Sequence, residues 1–245
     1  MKTVIIVQAR MTSTRLPRKV LKKVLDKPLL EYQIERLKRV KLADEIVIAT
    51  TINSTDLPII ELCDRLLIPY FRGSEEDVLG RYYGAAKEHH ADVVVRVTSD
   101  CPLIDPQVID KVIQFYLEHK YEYDYVSNCL ERSYPRGMDT EVFSFIALHQ
   151  AFVEATAQPD REHVTPFIYM HPERYRFAQV VSSENQSSHR WTVDTEDDFE
   201  LIKRIIEALY PQIPKFSLGD CLDLLRQYPD WSLINAHVEQ KKYGK

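Results

Sequence analysis

The chain has 245 residues, 44% hydrophobic and 28% charged, and its 32 Lys and Arg against 37 Asp and Glu give a net charge of −5. That balance suits a globular chain with a sizeable core and argues against a disordered chain or a nucleic-acid binder. Four scattered cysteines, Cys63, Cys101, Cys129 and Cys221, argue against a disulfide framework or a zinc site. No apolar run is long enough to span a membrane and the N-terminus shows no cleavable apolar segment, so a cytoplasmic protein without membrane contact is expected.

Residues 4–7 (VIIV) are a β-branched apolar run that predicts a strand buried on both faces. The polar loop that follows carries Arg10, Arg15, Arg18 and Lys19, with Thr12, Ser13 and Thr14 between the cations and Pro17 stiffening the turn. No carboxylate precedes Asp26, so nothing near in sequence neutralises this charge. A loop at the carboxyl end of a central strand is where open α/β sheets bind ligands. Forked donors, hydroxyls and free backbone N–H groups there suit a polyphosphate. The competing reading of the stretch is a solvated basic loop. Neither G-x-x-x-x-G-K-S/T nor G-x-G-x-x-G occurs and there are only six glycines, which argues against a P-loop ATPase and a dinucleotide-binding dehydrogenase.

Residues 29–40 place Leu29, Leu30, Ile34 and Leu37 at helical spacing, with Lys38 and Arg39 in the last turn, as the helix dipole favours. Residues 45–50 predict a second buried strand, then a polar loop with Thr50, Thr51 and Asn53. Ser54 or Asp56 is placed to cap the helix that runs to Leu67. Residues 68–71 predict a third strand ending in Arg72-Gly73-Ser74. Residues 76–90 predict a helix with Val78, Leu79, Tyr82, Ala85 and Ala86 on one side, and residues 92–97 a fourth strand. This alternation predicts a parallel sheet with helices on both faces and right-handed crossovers. The fourth strand runs into Thr98-Ser99-Asp100-Cys101-Pro102, and Pro106 starts a helix to Lys120. A carboxylate directly after a buried strand is costly unless paired or bound to a cation, so Asp100 reads as a turn residue or as a metal ligand.

Beyond residue 121 the pattern is mixed. Strands are expected at residues 123–128, 140–143, 176–181 and 190–193, with helices at 145–156 and 159–170, the latter strained or kinked by Pro166. This portion concentrates Tyr, Arg and His. It reads as an insertion, residues 121–190, that completes the site and pairs subunits in a homodimer. No linker sets it apart, so one domain spanning 1–245 is expected, with residues 1–120 as its nucleotide-binding half. Thr195 caps the next helix, with Asp198 in the capping-box position, which accounts for Glu196, Asp197 and Asp198. Asp194 stands apart because it closes a stretch containing Trp191. Residues 202–210, 218–227 and 231–241 predict packing helices, with Trp231 and His237 in packing or surface roles.

Gln8-Ala9-Arg10, Arg15-Leu16-Pro17-Arg18-Lys19, Thr98-Ser99-Asp100-Cys101-Pro102-Leu103-Ile104 and Val193-Asp194-Thr195 together resemble a known family. It is that of the cytidylyltransferases that activate 2-keto sugar acids, those for Kdo and acylneuraminate. The branch named for spore coat polysaccharide biosynthesis protein F is the nearest in pattern. Arg72-Gly73-Ser74 through Leu79, Pro135-Arg136-Gly137 and Glu162-His163-Val164-Thr165 are also typical of it, and the likeness runs over nearly the whole chain.

The resemblance implies a glycosyltransferase-A-like α/β fold, of the nucleotide-diphospho-sugar transferase type. Its sheet is mixed, mostly parallel and flanked by helices. It implies an enzyme that binds CTP and Mg²⁺ and serves surface polysaccharide biosynthesis. The anomeric hydroxyl of the sugar attacks the α-phosphate and pyrophosphate leaves. The stretch from Ala9 to Lys19 then holds the triphosphate, with Arg10 and Lys19 foremost and Arg15 next, beside Gln8. Asp100 and Asp194 match the metal-binding aspartates, and Arg10, Lys19 and Asp100 form the catalytic set. Arg72 and Thr98 lie where base and ribose are read. The substrate carboxylate calls for Arg or His, from Arg136, His163, Arg161 and Arg190. Kdo enzymes carry a different motif at Thr98-Ser99-Asp100-Cys101-Pro102, so Kdo itself is not implied. A glycosyltransferase consuming a nucleotide sugar is one alternative. It commonly carries D-x-D after a strand, and here Asp124 in Tyr123-Asp124-Tyr125 lacks its second Asp. A non-catalytic nucleotide-binding subunit is another.

Overall fold

The computed structural model, which describes residues 1–240, puts the opening apolar run in the middle of the molecule. The strands are β1 (Thr3–Gln8), β2 (Lys23–Val24), β3 (Lys27–Pro28), β4 (Glu45–Thr51), β5 (Tyr70–Gly73), β6 (Val93–Thr98), β7 (Tyr125–Ser127), β8 (Glu141–Ser144) and β9 (Phe177–Gln179). The helices are α1 (Leu29–Leu37), α2 (Leu57–Leu66), α3 (Val78–Glu88), α4 (Pro106–Glu118), α5 (Phe145–Glu154), α6 (Gln158–His163), α7 (Pro166–Tyr169), α8 (Glu196–Leu209) and α9 (Leu218–Gln227).

Seven strands form one sheet in the order β5-β4-β1-β6-β8-β7-β9. β8 runs against its two neighbours, and the other pairings in the sheet are parallel. β1 is hydrogen-bonded to β4 on one side and β6 on the other, with Ile5 opposite Ile46 and Val95. Its alternating side chains feed two cores. Ile5 and Val7 pack with α1, α2 and α4, and Val4 and Ile6 with α3 and α5. A strand buried on both faces tolerates only apolar residues, which is why the run is unbroken. The chain leaves β1 towards β4 and later returns to its other side as β6. A crevice therefore opens at the carboxyl ends of β1 and β6, the switch point of the sheet. A third core, with Leu16, Met138, Trp191 and Val193 against α8 and α9, backs this crevice.

Several local expectations are corrected. Residues 190–193 form no strand, since a single bridge joins Arg136 to Arg190. The helix expected over residues 159–170 breaks at Val164, whose φ is 74°, and Pro166 opens a second short helix instead of kinking one. Residues 231–241 are not one helix: a 3-10 turn covers Pro229–Leu233, and Lys241 lies outside the described residues. Segments 45–50, 68–71 and 92–97 are strands shifted or extended by one or two residues, as boundaries set by pairing commonly are. The hairpin of β2 and β3 carried no signal that the sequence reading used.

Asp56 stands at the N-cap position of α2, but its side chain makes no capping hydrogen bond. It is 1% exposed, and its carboxylate accepts hydrogen bonds from the Met11 N–H at 2.8 Å and the Thr51 hydroxyl at 2.6 Å. It ties the basic loop to the end of β4. Asp56→Ala would strand two buried N–H groups and two hydroxyls, so a loss of about 3 kcal/mol is expected. Urea unfolding measures it, and a midpoint equal to wild type would show that the loop does not depend on this tie.

Candidate active site

The loop after β1 is held by backbone bonds at both ends. The Ala9 N–H donates to the Ala49 carbonyl and the Arg18 N–H to the Met11 carbonyl at 2.9 Å. Arg18 adopts φ 62°, and the chain then turns through the 3-10 segment Lys19–Leu21. That reversal directs Lys19 inward. On the neighbouring strand, Ser99 N–H donates to the Gln8 carbonyl, which leaves Asp100 at the mouth of the crevice. The Val193 N–H donates to the Asp100 carbonyl at 2.8 Å, and this bond brings Asp194 alongside.

The Lys19 ammonium lies 3.0 Å from Asp100 Oδ2 and 2.8 Å from Asp194 Oδ1. Asp100 Oδ1 also accepts from the Thr98 hydroxyl at 2.6 Å. Asp194 Oδ2 is met by Arg15 at 2.9 Å and Arg190 at 2.8 Å. Arg190 is fixed in turn by Asp198, which is 0% exposed and also accepts from Asn235 and from the N–H groups of Asp194 and Thr195. Burial opposes the charge on Asp100, but Lys19 and the Thr98 hydroxyl outweigh it and hold the carboxyl down at about 2. Burial likewise works against the Lys19 ammonium, and the two aspartates overcome it and raise its pKa. The uncancelled basic loop of the sequence reading is therefore matched here by acids far away in the chain. Arg10 lies 3.4 Å from Glu75, and Glu75 also accepts from Asn53.

These groups line a cavity of about 590 Å³. Of the expected site residues, Gln8, Ala9, Arg10, Arg15, Lys19, Thr98, Asp100, Arg136, His163 and Asp194 all reach it. Three do not. The Arg72 guanidinium donates to the carbonyls of Thr51 and Asn53. Arg161 grips Asp77 and the Phe152 carbonyl, joining α6 to α3. Arg190 sits behind Asp194. The Arg136 guanidinium lines the cavity with no hydrogen bond or ion pair to a described residue, and burial lowers its pKa. Among the cavity residues that the sequence did not single out are Arg81 and Arg96, besides the ion-paired Arg132 and Asp139. Arg81, 2% exposed, falls at helical spacing between Val78 and Tyr82 on the apolar side of α3, and Arg96 sits inside the valine run of β6. A charge on a buried stripe was the available signal in both cases. Arg96 is paired with Glu141, which also accepts from the hydroxyls of Tyr125 and Thr165.

Among the described residues no group of three or more His, Cys, Asp or Glu could hold a metal. Two carboxylates converging on one cation nevertheless suit a hard ion that takes its remaining ligands from water and phosphate.

A family profile described as cytidylyltransferase matches residues 4–221. The spore coat polysaccharide biosynthesis protein SpsF of Bacillus subtilis is 33% identical over 232 residues, covering 92% of this chain and 94% of its own. A solved cytidylyltransferase of Leptospira borgpetersenii superposes with a TM-score of 0.91 at 31% identity, covering 99% of both chains. A CMP:2-keto-3-deoxy-manno-octonic acid synthetase solved with CTP gives 0.65 at 16% identity, covering 85% of this chain and 99% of its own, and shares the fold.

The pH behaviour of Asp100 tests the shared cation. Since the folded Asp100 pKa lies below the unfolded value, its contribution to stability is complete above about pH 4. It is lost as pH falls towards about 2. In Lys19→Met the main lowering influence is gone, so the Asp100 carboxyl should titrate at higher pH. Carboxyl ¹³C chemical shifts read the change, and an unmoved titration would show that Lys19 does not set it.

Proposed function

The chain belongs to the cytidylyltransferase family, and from that premise we propose that it transfers CMP from CTP to the anomeric hydroxyl of a 2-keto sugar acid, releasing pyrophosphate. The observation that carries the reading is the Lys19 ammonium shared by Asp100 and Asp194 at the mouth of a basic loop. Such an arrangement exchanges one cation for another when a polyphosphate and a divalent ion arrive together. The fold reading is glycosyltransferase-A-like, supported by the single reversed strand β8 in a parallel sheet. The whole chain serves as one catalytic domain in the cytoplasm.

In this reading Arg10, Arg15 and Lys19 hold the triphosphate, and Ala9 and Gln8 form the floor beneath it. Thr98 sits at the ribose, and Arg72 shapes the end of β4 beside the base through the Thr51 and Asn53 carbonyls. Asp100 and Asp194 would hold Mg²⁺, which when bound supplies positive charge to the phosphates and to the leaving pyrophosphate. Arg15 and Arg190 keep the outer oxygen of Asp194 turned away, so its inner oxygen faces the cavity. As the anomeric oxygen bonds to the α-phosphorus, the bond to pyrophosphate breaks. The cations already in place stabilise the charge that builds there without rearranging. We assign no side-chain general base.

The unpaired Arg136 is the receptor for the substrate carboxylate, with His163 beside the same cavity. A half-buried guanidinium without an ion-pair partner has its donors open to the cavity, and a ligand carboxylate can take them bidentately. The SpsF likeness supports a role in surface polysaccharide synthesis. Homodimer formation is part of the reading, supported by the exposed Ile146 and Val153 on one face of α5.

A panel of 2-keto sugar acids with CTP or UTP, read by pyrophosphate release, tests the activity. Release is expected only with CTP, a divalent ion and the right acid. Nucleoside diphosphate released from a sugar donor would replace this reading with a glycosyltransferase. Asp100→Asn and Asp194→Asn should each lower turnover by roughly a thousandfold with the fold intact by circular dichroism. Arg136→Gln should raise KM for the sugar acid about 10- to 100-fold with little change in kcat. An unchanged KM would remove Arg136 from the substrate site.

A further inference from the structure

Gln8 and Arg96 belong to the paired parallel strands β1 and β6, and both line the larger cavity. Gln8 alternates with Val4 and Ile6, and Arg96 with Val94, so the two stand on the α3 side of the sheet. The Arg96 guanidinium is anchored on several sides. Its Nη1 pairs with Glu141, its Nη2 donates to Gln8 Oε1 at 3.2 Å, and it lies 5.8 Å from the centre of the Tyr82 ring. Glu141 is 5% exposed, and its other oxygen accepts from the Tyr125 and Thr165 hydroxyls, which fixes its rotation. A guanidinium only donates, so the atom of the Gln8 amide that meets it is the oxygen. The amide N–H group is thereby turned to another side. Gln8 is half-buried, and its Nε2 has no acceptor among the described residues. Unlike Arg96 Nε, this nitrogen is not sealed off, so the cavity reaches it. A free glutamine offers an acceptor as readily as a donor. Here the buried ion pair leaves the donor facing the ligand space, at the last residue of β1 before the basic loop.

We propose that Gln8 Nε2 donates to a phosphate oxygen of the bound nucleotide, and that Arg96, held by Glu141, is the positioning residue that sets this polarity. The inference rests on the nucleotide reading of the larger cavity. A phosphate takes donors only, and a reversed amide would turn its carbonyl oxygen on the same charge. Arg96 acts through Gln8 and touches no reacting atom.

The test measures CTP affinity by titration calorimetry on the full chain, with Mg²⁺ and no sugar acid. Gln8→Met removes the donor at similar length and should weaken CTP binding about tenfold. Gln8→Glu still accepts from Arg96 but sets a carboxylate against the phosphate, so its loss should be larger, roughly a hundredfold. Arg96→Lys keeps a cation beside Glu141 but has no second arm for Gln8, and should weaken CTP binding by about three- to tenfold. In the Gln8→Met background the same lysine should cost nothing further, because the two residues act as one unit. The two Gln8 variants leave Arg96 and Glu141 in place, so they carry the test even where Arg96→Lys does not fold. Unchanged affinity in Gln8→Met would overturn the proposal. Equal losses in Gln8→Met and Gln8→Glu would mean an uncharged acceptor and overturn the phosphate contact. Losses that multiply in the double variant would reduce Arg96 to a structural role. A wild-type chain that binds no CTP would remove the nucleotide reading and this contact together, whereas normal CTP binding indifferent to the Gln8 variants would remove the contact alone.

Discussion

One ammonium group joins three remote parts of this chain. Lys19 comes from the loop after the first strand, Asp100 from the end of the fourth strand of the parallel run, and Asp194 from a segment close to the last two helices. A largely buried ion triad of this kind adds little net stability, because removing the charges from water offsets their attraction. What it supplies is placement. Two carboxylates that would repel each other are held on one point, and the Arg15 and Arg190 guanidinium groups fix the rotation of one of them. The groups are therefore oriented before any ligand arrives, and in the proposed reaction a polyphosphate with its cation would not have to order them.

The sheet makes that convergence possible. β1 and β6 are neighbours whose carboxyl ends point the same way, so the loops that follow them share one crevice. The strands from the mixed second half extend the same sheet, and β8 reverses to do so. Glu141 at the start of β8 gathers Arg96, Tyr125 and Thr165, and so locks the added strands and the turn before α7 onto the parallel part. Around the third core the Arg190, Asp198 and Asn235 contacts do the same for the C-terminal portion. Each hub is a buried carboxylate that gathers several donors, although the Nε of Arg96 beside Glu141 has no acceptor among the described residues, and such networks favour one arrangement.

The cavity walls divide along chemical lines. The side near β1 carries cations already engaged with carboxylates, whereas Arg136 faces the cavity without a partner. Groups engaged in the free protein must exchange partners on binding, while an unengaged one is ready to accept an anion.

Much of this was legible in the order of residues. The valine and isoleucine runs of β1, β4 and β6, the stripe of α3 and the Thr195 capping box depend on neighbours within a few positions, and those neighbours are written side by side. The motifs around Arg10, Lys19, Asp100 and Asp194 also named their residues in advance. What only folding decided is which charge meets which. Asp56 read as a cap and proved to pin a loop 45 residues earlier. Arg161 and Arg190 read as ligand contacts and are held by acids of the protein itself. Residues 190–193 had the composition of a strand but no ladder to join. Ion pairs and strand pairing act through space between segments far apart in sequence, so a single chain records its local periodicities directly and its distant partners not at all.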